Sequence, residues 1–177
     1  MRIIAGKLKG SKIFTAQKNQ TRPLKDLVKE SIFNLLIHSN KISFDLEKSK
    51  ILDLFSGTGS FGLECMSRQA KSVHFVEKEK NAVNILKKNI KKLKMEDNTK
   101  IFFDDVFKFL EKNCSLKFRY DLIFCDPPFK NDNIDNLVKF IYEKKLLKKN
   151  GIIIIHRNKN TNDKFPNYFN ILDERLY

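Results

Sequence analysis

The stretch that decides the fold is Ile51-Leu52-Asp53-Leu54-Phe55-Ser56-Gly57-Thr58-Gly59-Ser60-Phe61-Gly62. Its apolar first part, Ile51 to Phe55, is typical of a short buried strand, and Ser60 to Arg68 is patterned as a helix. The glycines between them satisfy Gly-x-Gly-x-x-Gly, which forms a tight turn where a backbone approaches a nucleotide. The stretch therefore predicts a strand, a glycine-rich turn and a helix.

Further strands and helices alternate along the rest of the chain. Short apolar runs predict strands at Val73–Val76, Ile101–Phe103, Leu122–Cys125 and Ile152–Ile155, and helical spacing predicts helices at Asn81–Lys94, Val106–Lys112 and Ile134–Lys144. Alternation of this kind predicts an α/β fold, Rossmann-like, with a mostly parallel sheet covered on both faces.

The amino-terminal part differs from this pattern. Residues 1–20 alternate apolar and basic positions and predict a short basic β-hairpin or extended arm. Thr21-Arg22-Pro23 then predicts the start of a helix that continues to about Leu36, with Lys25 and Lys29 on its outer face. A polar linker follows at 38–50. We expect one domain over residues 1–177, with an extension of residues 1–45 packed on a core of residues 50–177.

Composition narrows the class of protein. The net charge of +14 and the pI near 9.7 favour a nucleic-acid partner, although a bias toward Lys, Asn, Ile and Phe alone would raise the charge. The three cysteines have no short spacing that indicates a disulfide framework or a metal site. No apolar run is long enough for a signal peptide or a membrane span, so a reduced cytoplasmic protein without metal is expected.

Acidic residues follow the predicted strands. Asp53, Glu77, the pair Asp104-Asp105 and Asp126 all stand at or just after strand ends, which in a parallel sheet share one edge. Ligands of such sheets bind outside that edge, where the strand order reverses. Glu77 stands twenty residues past Gly57, a spacing that suits a carboxylate bound to ribose hydroxyls. These features indicate a nucleoside, but both dehydrogenases and S-adenosylmethionine methyltransferases fit them.

Asp126-Pro127-Pro128-Phe129 separates the two possibilities. Two consecutive prolines stiffen the loop that follows Leu122–Cys125 and remove two backbone donors. A carboxylate beside an aromatic ring can hold the amino group of a planar base, which favours an amino-directed methyltransferase over a dehydrogenase. Cys125 suggests a cysteine-dependent mechanism, but its position in the strand alternates with Asp126 and predicts a side chain in the core.

With these motifs in place, the chain resembles the bacterial 16S rRNA guanine-N2 methyltransferases of the RsmD family. The resemblance covers nearly the whole chain. It is carried by Arg2-Ile3-Ile4-Ala5-Gly6 with Gly10, Thr21-Arg22-Pro23, Glu30-Ser31-Ile32-Phe33-Asn34, Leu52 to Gly59, Gly62-Leu63-Glu64, Ser67-Arg68 and Asp126-Pro127-Pro128-Phe129. It implies methyl transfer from S-adenosylmethionine to the exocyclic N2 of a guanine in small-subunit rRNA, guanine 966.

The resemblance also implies roles for individual residues. The catalytic residues it implies are Asp126, Pro127, Pro128 and Phe129, with the flipped guanine stacked on Phe129. The cofactor-binding residues are Asp53, Phe55, Gly57, Thr58, Gly59, Glu77, Lys78, Asp105 and Val106. The resemblance makes the amino-terminal extension RNA-binding, and the basic residues there are our candidates for phosphate contacts: Arg2, Lys7, Lys9, Lys12, Arg22 and Lys25. The implied partner is 16S rRNA or an assembling small subunit, and the protein is expected to act as a monomer.

The chain departs from the family pattern at three places. Lys29 stands where the family usually has Arg, which loses bidentate phosphate recognition. His156 stands where an acid is usual. The family continues past Tyr177 with a last strand, which would lie between Ile152–Ile155 and a strand at Ile171–Tyr177. We expect this last strand of the family to be absent.

The rival functions are methylation of DNA adenine N6 or protein glutamine, and a non-catalytic RNA-binding assembly factor.

Overall fold

A computed structural model of the chain describes residues 1–16, 24–112, 118–128, 133–158, 161 and 165–177. The helices are α1 Asp26–His38, α2 Ser60–Ser67, α3 Lys80–Leu93, α4 Val106–Lys112 and α5 Ile134–Glu143. The strands are β1 Lys50–Leu54, β2 Ser72–Glu77, β3 Thr99–Phe103, β4 Tyr120–Cys125 and β5 Leu147–Ile155. Two single 3-10 turns lie at Leu46–Lys48 and Glu96–Asn98.

The five strands form one sheet in the order β3-β2-β1-β4-β5, and all neighbouring strands are parallel. The predicted α/β fold is therefore confirmed. The strand order reverses between β1 and β4, where the chain has wound first to one side of β1 and then to the other. Ligands of open α/β sheets bind at that reversal, outside the carboxyl ends of the strands.

Each face of the sheet is covered by its own apolar cluster. On one face, buried side chains of α1, α2 and α3 pack with those of β1, β2 and β4, and Ile3 and Ile13 of the amino-terminal arm join them. On the other face, α4 and α5 pack against the sheet, and Leu54 and Ile123 belong to the apolar cluster between them. Covered faces explain why the central strands β1 and β4 are mostly apolar rather than alternating.

The amino-terminal arm, residues 1–16, is a loop closed by one antiparallel bridge between Arg2 and Lys12. Backbone bonds from Ile3 to Ser11 (2.9 Å) and from Gly10 to Ile3 (2.9 Å) support the bridge, but no regular strand pair forms. The predicted hairpin is thus reduced to a bridge, because Ile3 and Ile13 turn into the shared core.

A buried carboxylate fixes the arm to the core. Glu64 of α2 is fully buried, and its two oxygens accept the backbone N–H groups of Ile4 (2.8 Å) and Ala5 (2.9 Å). The same carboxylate accepts from Arg68 Nε at 2.9 Å and lies 3.8 Å from Lys29 Nζ. Because arm, α1 and α2 meet at one compensated charge, we propose that residues 1–45 and 50–177 form a single domain.

Lys29 corrects a prediction. Its side chain is fully buried rather than on the outer face of α1, and Nζ donates to Arg2 O at 3.2 Å and to Ser60 Oγ at 3.4 Å. Lys29 lies four and seven residues before Phe33 and Leu36, so it shares their apolar face. It is therefore a structural cation of the core and does not contact phosphate.

The boundaries of several elements also differ from the prediction. Strand β5 begins at Leu147, five residues before the predicted Ile152, and α1 is described from Asp26, with Thr21-Arg22-Pro23 outside the described residues. The expectation of a strand at Ile171–Tyr177 is wrong, because those residues are irregular. The segment before them packs on α5 instead, where the rings of Tyr142 and Tyr168 stack at 3.9 Å.

Among the described residues, no helix has the length and apolar composition needed to span a membrane.

We predict that Glu64→Ala lowers the free energy of unfolding by about 3–5 kcal/mol, because it removes the buried partner of Lys29 and leaves only the half-exposed carboxylate of Asp26, 3.6 Å away, to face that buried cation. The arm would also lose the acceptor for two backbone N–H groups. The measurement is equilibrium unfolding in urea. Glu143→Ala is the matched control: its carboxylate is half-exposed and 3.9 Å from Lys139, so the change should be below about 0.5 kcal/mol. Equal effects of the two substitutions would contradict the prediction.

Candidate active site at the carboxyl edge of the sheet

The candidate active site begins with the glycine turn between β1 and α2. Phe55, Gly57 and Gly59 all have positive φ, at 57°, 55° and 86°. Gly59 is favoured by its left-handed backbone, and a Cβ there would also displace the Leu86 side chain, whose Cδ1 would lie 2.3 Å away. A Cβ on Gly57 would meet no atom within 4 Å. Gly57 therefore leaves open space on the outer side of the turn, where a ligand can approach the backbone.

Glu77, the last residue of β2, holds this turn in place. Its Oε2 accepts the N–H of Gly57 at 2.7 Å, and its Oε1 accepts those of Lys78 (2.9 Å) and Glu79 (2.8 Å). The side chain is thus fixed by backbone donors at both the turn and the start of α3. Each carboxylate oxygen has two lone pairs, so capacity remains on Oε2 for a further donor such as a ribose hydroxyl.

Asp53 lies deeper than the other acids of this edge. It is 1% exposed, and its Oδ2 accepts the N–H of Gly62 at 3.0 Å in the first turn of α2. Burial raises the pKa of the Asp53 carboxyl well above its ordinary value, the Gly62 N–H opposes that rise, and the charges of Asp126 and Glu77 add to it. What the structure shows for Asp53 is a bond that positions α2, while its contact with a cofactor stays a prediction.

The end of β3 contributes two further acids, Asp104 and Asp105, which are more exposed than Asp53 and Glu77. Asp105 Oδ1 accepts the N–H of Phe107 at 3.0 Å at the start of α4, and its Oδ2 lies 3.4 Å from Lys78 Nζ. Asp104 binds Lys112 at 2.8 Å, and that hydrogen bond lowers the pKa of the Asp104 carboxyl. Val106 is buried in the core. Lys78 and Asp105, both predicted cofactor residues, are therefore brought together beside the glycine turn.

Asp126 follows β4 directly on the far side of the reversal. Its carboxylate Oδ1 lies 2.8 Å from Nδ1 of His156, the residue after β5, and its side chain is 26% exposed. Pro127 is buried and Pro128 is exposed. Phe129 and Arg22, both predicted site residues, lie outside the described residues.

The strand beneath Asp126 is held by stacked rings. Phe61 of α2 stacks between Phe33 of α1 (5.3 Å) and Phe124 of β4 (3.9 Å). Cys125 is fully buried, and burial raises the pKa of its thiol, which disfavours the nucleophilic thiolate. The predicted core position of Cys125 is confirmed, and a cysteine-dependent mechanism has no support.

The basic arm adjoins the glycine turn through one buried amide. Asn89 of α3 is fully buried; its Nδ2 donates to Thr58 O and to Phe14 O, each at 3.0 Å. Its Oδ1 accepts the N–H of Phe14 at 2.7 Å.

The predicted RNA-binding residues within the described part of the chain are all exposed on or near this arm: Arg2, Lys7, Lys9, Lys12 and Lys25.

Sequence reasoning missed two residues that extend this surface. Lys92 of α3 donates to Lys12 O, and its Nζ lies 4.8 Å from the ring centroid of Phe14, which is 50% exposed. Lys88 is exposed one helical turn before Lys92. The four-residue spacing of these lysines places them on one face of α3 and could have indicated a basic surface. A charged helix face is ordinarily in contact with solvent alone, so this spacing was not taken as a sign of binding.

Comparison with known proteins agrees with this architecture. The family model described as Conserved hypothetical protein 95 matches residues 1–177. Ribosomal RNA small subunit methyltransferase D of Haemophilus influenzae is 34% identical over 176 residues, which are 99% of this chain and 88% of that protein. A solved structure from Escherichia coli has a TM-score of 0.84 at 25% identity and covers 100% of this chain and 92% of its own. One from Haemophilus influenzae has a TM-score of 0.80 at 31% identity, with coverages of 99% and 92%.

We predict that the Asp53→Asn variant becomes increasingly stable relative to the wild type as the pH rises. The folded-state pKa of Asp53 is raised, so its contribution to stability is complete below the unfolded pKa near 3.8 and is lost as the pH rises through the folded value. Asparagine carries no charge and still offers Oδ1 to the Gly62 N–H. The measurement is the difference in urea-unfolding free energy between variant and wild type from pH 4 upward. A difference that does not change with pH would contradict the assignment.

Proposed function

Because this chain belongs to the RsmD family of methyltransferases, described as Conserved hypothetical protein 95, we propose that it methylates small-subunit rRNA with S-adenosylmethionine as methyl donor. The observation that carries the proposal is the position of Asp126. It lies at the end of β4, across the strand-order reversal from the turn that Glu77 holds. The turn expected to bind a nucleoside and the acid expected to bind an amino group thus lie at the same edge of the sheet.

The residues at this edge fit the proposed cofactor. Open space at Gly57 allows a ligand to approach the backbone of the turn, and Oε2 of Glu77 retains capacity for a ribose hydroxyl. Lys78, Asp105 and Val106 border the ribose and adenine end in this arrangement, and Phe55, Thr58 and Gly59 shape the turn. S-adenosylmethionine supplies a methyl group bonded to a positively charged sulfur, which is a strong electrophile.

Asp126 has the chemistry that an amino-group acceptor requires. The nitrogen lone pair of an exocyclic amine is delocalised into the base and is a poor nucleophile. The Asp126 carboxylate and the carbonyl of Pro127 accept hydrogen bonds from its two N–H groups, favour a pyramidal nitrogen and stabilise the positive charge that develops there. The methyl–sulfur bond breaks as the methyl–nitrogen bond forms, and the one proton that the nitrogen then loses passes to Asp126 or to solvent. Phe129 supplies the stacking surface. Orientation is the other contribution, worth up to about 7–11 kcal/mol for well-aligned groups.

The basic arm and the adjoining face of α3 form the proposed rRNA surface. Lys7, Lys9 and Lys12 provide exposed cations, and Arg2, Arg22 and Lys25 extend the set along the chain. Lys88 and Lys92 continue it on α3, and exposed Phe14 beside Lys92 offers a ring for an unpaired base. Phosphate contacts give affinity without choosing a sequence, so the shape of the RNA must select the site.

The finer proposal is methylation of guanine N2 at position 966 of 16S rRNA. The experiment is transfer of tritiated methyl to unmodified small subunits, naked 16S rRNA, DNA and protein, followed by mass mapping of the labelled nucleotide. Label on N2 of that guanine is the expected result. Label on DNA adenine or on protein glutamine would overturn the substrate, and label on another guanine would overturn the position alone.

We predict that Asp126→Ala lowers kcat about 100- to 1000-fold, the effect of removing a group that stabilises developing charge. The dissociation constant for S-adenosylmethionine should change less than about threefold, because Asp126 lies outside the glycine turn. Methyl-transfer kinetics and calorimetric titration measure the two quantities. Asp97→Ala, at an exposed acid of the α3–β3 connection, is the control and should match wild type. Full activity of Asp126→Ala would remove it from the mechanism.

We predict that replacing Lys88 and Lys92 together by Gln weakens rRNA binding and reduces the slope of log Kd against log salt by about two, since each lysine is expected to neutralise one phosphate. Lys87→Gln with Lys91→Gln is the matched control. It removes the same charge from the same helix, but those lysines border a depression beside β3 with Glu96 and Thr99. Equal salt slopes for the two double variants would show that only net charge matters.

A further inference from the structure

His156 is the residue beside Asp126 that the proposed mechanism leaves without a role. Strands β4 and β5 are parallel neighbours, with Cys125 paired to Ile155, so the residues that follow them emerge side by side. The backbone N–H of His156 donates to Cys125 O at 2.9 Å, which continues the ladder by one step. The side chains then meet at 2.8 Å, between His156 Nδ1 and Asp126 Oδ1.

The chemistry of the pair fixes which atom donates. An ionised carboxylate can only accept, so Nδ1 of His156 carries the hydrogen and donates it to Oδ1 of Asp126. That bond uses one lone pair of Oδ1, and Oδ2 has no bond to the imidazole. Both side chains remain about a quarter exposed, at 28% for His156 and 26% for Asp126, so the pair is open to a substrate.

We infer that His156 is the positioning residue of Asp126: its Nδ1–H anchors Oδ1 so that Oδ2 faces the amino group to be methylated. This inference rests on the proposed function. Without the anchor, the carboxylate turns freely about its side-chain bonds and spends less time in the reactive orientation. Misplacement of a reacting group by about 1 Å costs on the order of 100-fold in rate, so an anchor of this kind is expected to act on kcat.

The test compares two amides of different reach. In asparagine the amide nitrogen is bonded to Cγ, as Nδ1 is in histidine, whereas in glutamine it lies one bond further out. His156→Asn should therefore restore the bond to Asp126 and keep kcat within about threefold of wild type. His156→Gln and His156→Ala should lower kcat about 10- to 100-fold, the range for loss of a hydrogen bond to a charged group. The dissociation constant for S-adenosylmethionine should stay the same in all three.

The outcomes separate this inference from the proposed function. If wild type does not methylate small-subunit rRNA, the proposed function fails. If wild type is active and the Asn and Gln variants have equal kcat, only the positioning role fails. His38→Ala, at an exposed histidine at the end of α1, controls for loss of an imidazole and should match wild type. Thermal unfolding of each variant separates loss of the anchor from loss of the fold.

A second measurement does not depend on activity. Nitrogen-15 shifts of the imidazole identify which ring nitrogen carries the hydrogen when the ring is neutral. We expect the Nδ1–H form for His156 in the wild type and a shift toward the Nε2–H form in Asp126→Ala, where the acceptor is gone. An Nε2–H form in the wild type would overturn the inference whatever the kinetics show.

Discussion

The site depends on one constraint, the parallel direction of every strand pairing in the sheet. Parallel strands end on the same side, so Asp53, Glu77 and Asp126 are placed at one edge whatever their charge. Three backbone N–H groups bind the carboxylate of Glu77, and His156 binds that of Asp126. Asp53 accepts the Gly62 N–H, and burial raises its pKa, which favours its neutral form. These local donors let an acidic edge form, and they fix the glycine turn and the orientation of the acids at the same time.

Compensated charge also explains how the arm belongs to the fold. The arm has few large apolar residues: Ile3 and Ile13 are buried in the core, and Met1 and Leu8 pack partly buried against it. Glu64 adds two charge-assisted bonds to its backbone, and Lys29 and Arg68 balance the carboxylate. A displaced arm would leave the buried Glu64 carboxylate without two of its donors and Lys29 without the Arg2 carbonyl, so these contacts specify where the arm lies.

Much of the fold and of the site could be predicted because the deciding signals are local. The apolar runs and Gly57, Gly59 and Gly62 fixed the order of the elements and the place of the turn. The start of β5 was missed because Lys148 to Gly151 are polar and resemble a loop; Lys148 is held in the strand by Asp121, a partner twenty-seven residues away.

Side-chain partners across the fold were harder to predict. Lys29 was assigned to the surface because lysine is seldom buried, and its burial is made tolerable by partners from other segments, Glu64 and the carbonyl of Arg2 among them. The pairing of His156 with Asp126 follows from two adjacent strand ends, but adjacency of β4 and β5 becomes known only once the strand order is known. Pairings of this kind depend on topology, which local patterns do not specify.

Asn89 has a consequence for how such proteins diverge. One buried amide satisfies the N–H and C=O of Phe14 in the arm and the C=O of Thr58 in the turn, so three chain segments share a single side chain. Because Asn89 binds the backbone of Phe14 and not its side chain, any residue at position 14 that follows the same backbone path keeps both bonds. The side chains of the arm can therefore change while Asn89 keeps the arm beside the glycine turn, and new RNA preferences are expected to arise by replacement of exposed arm residues.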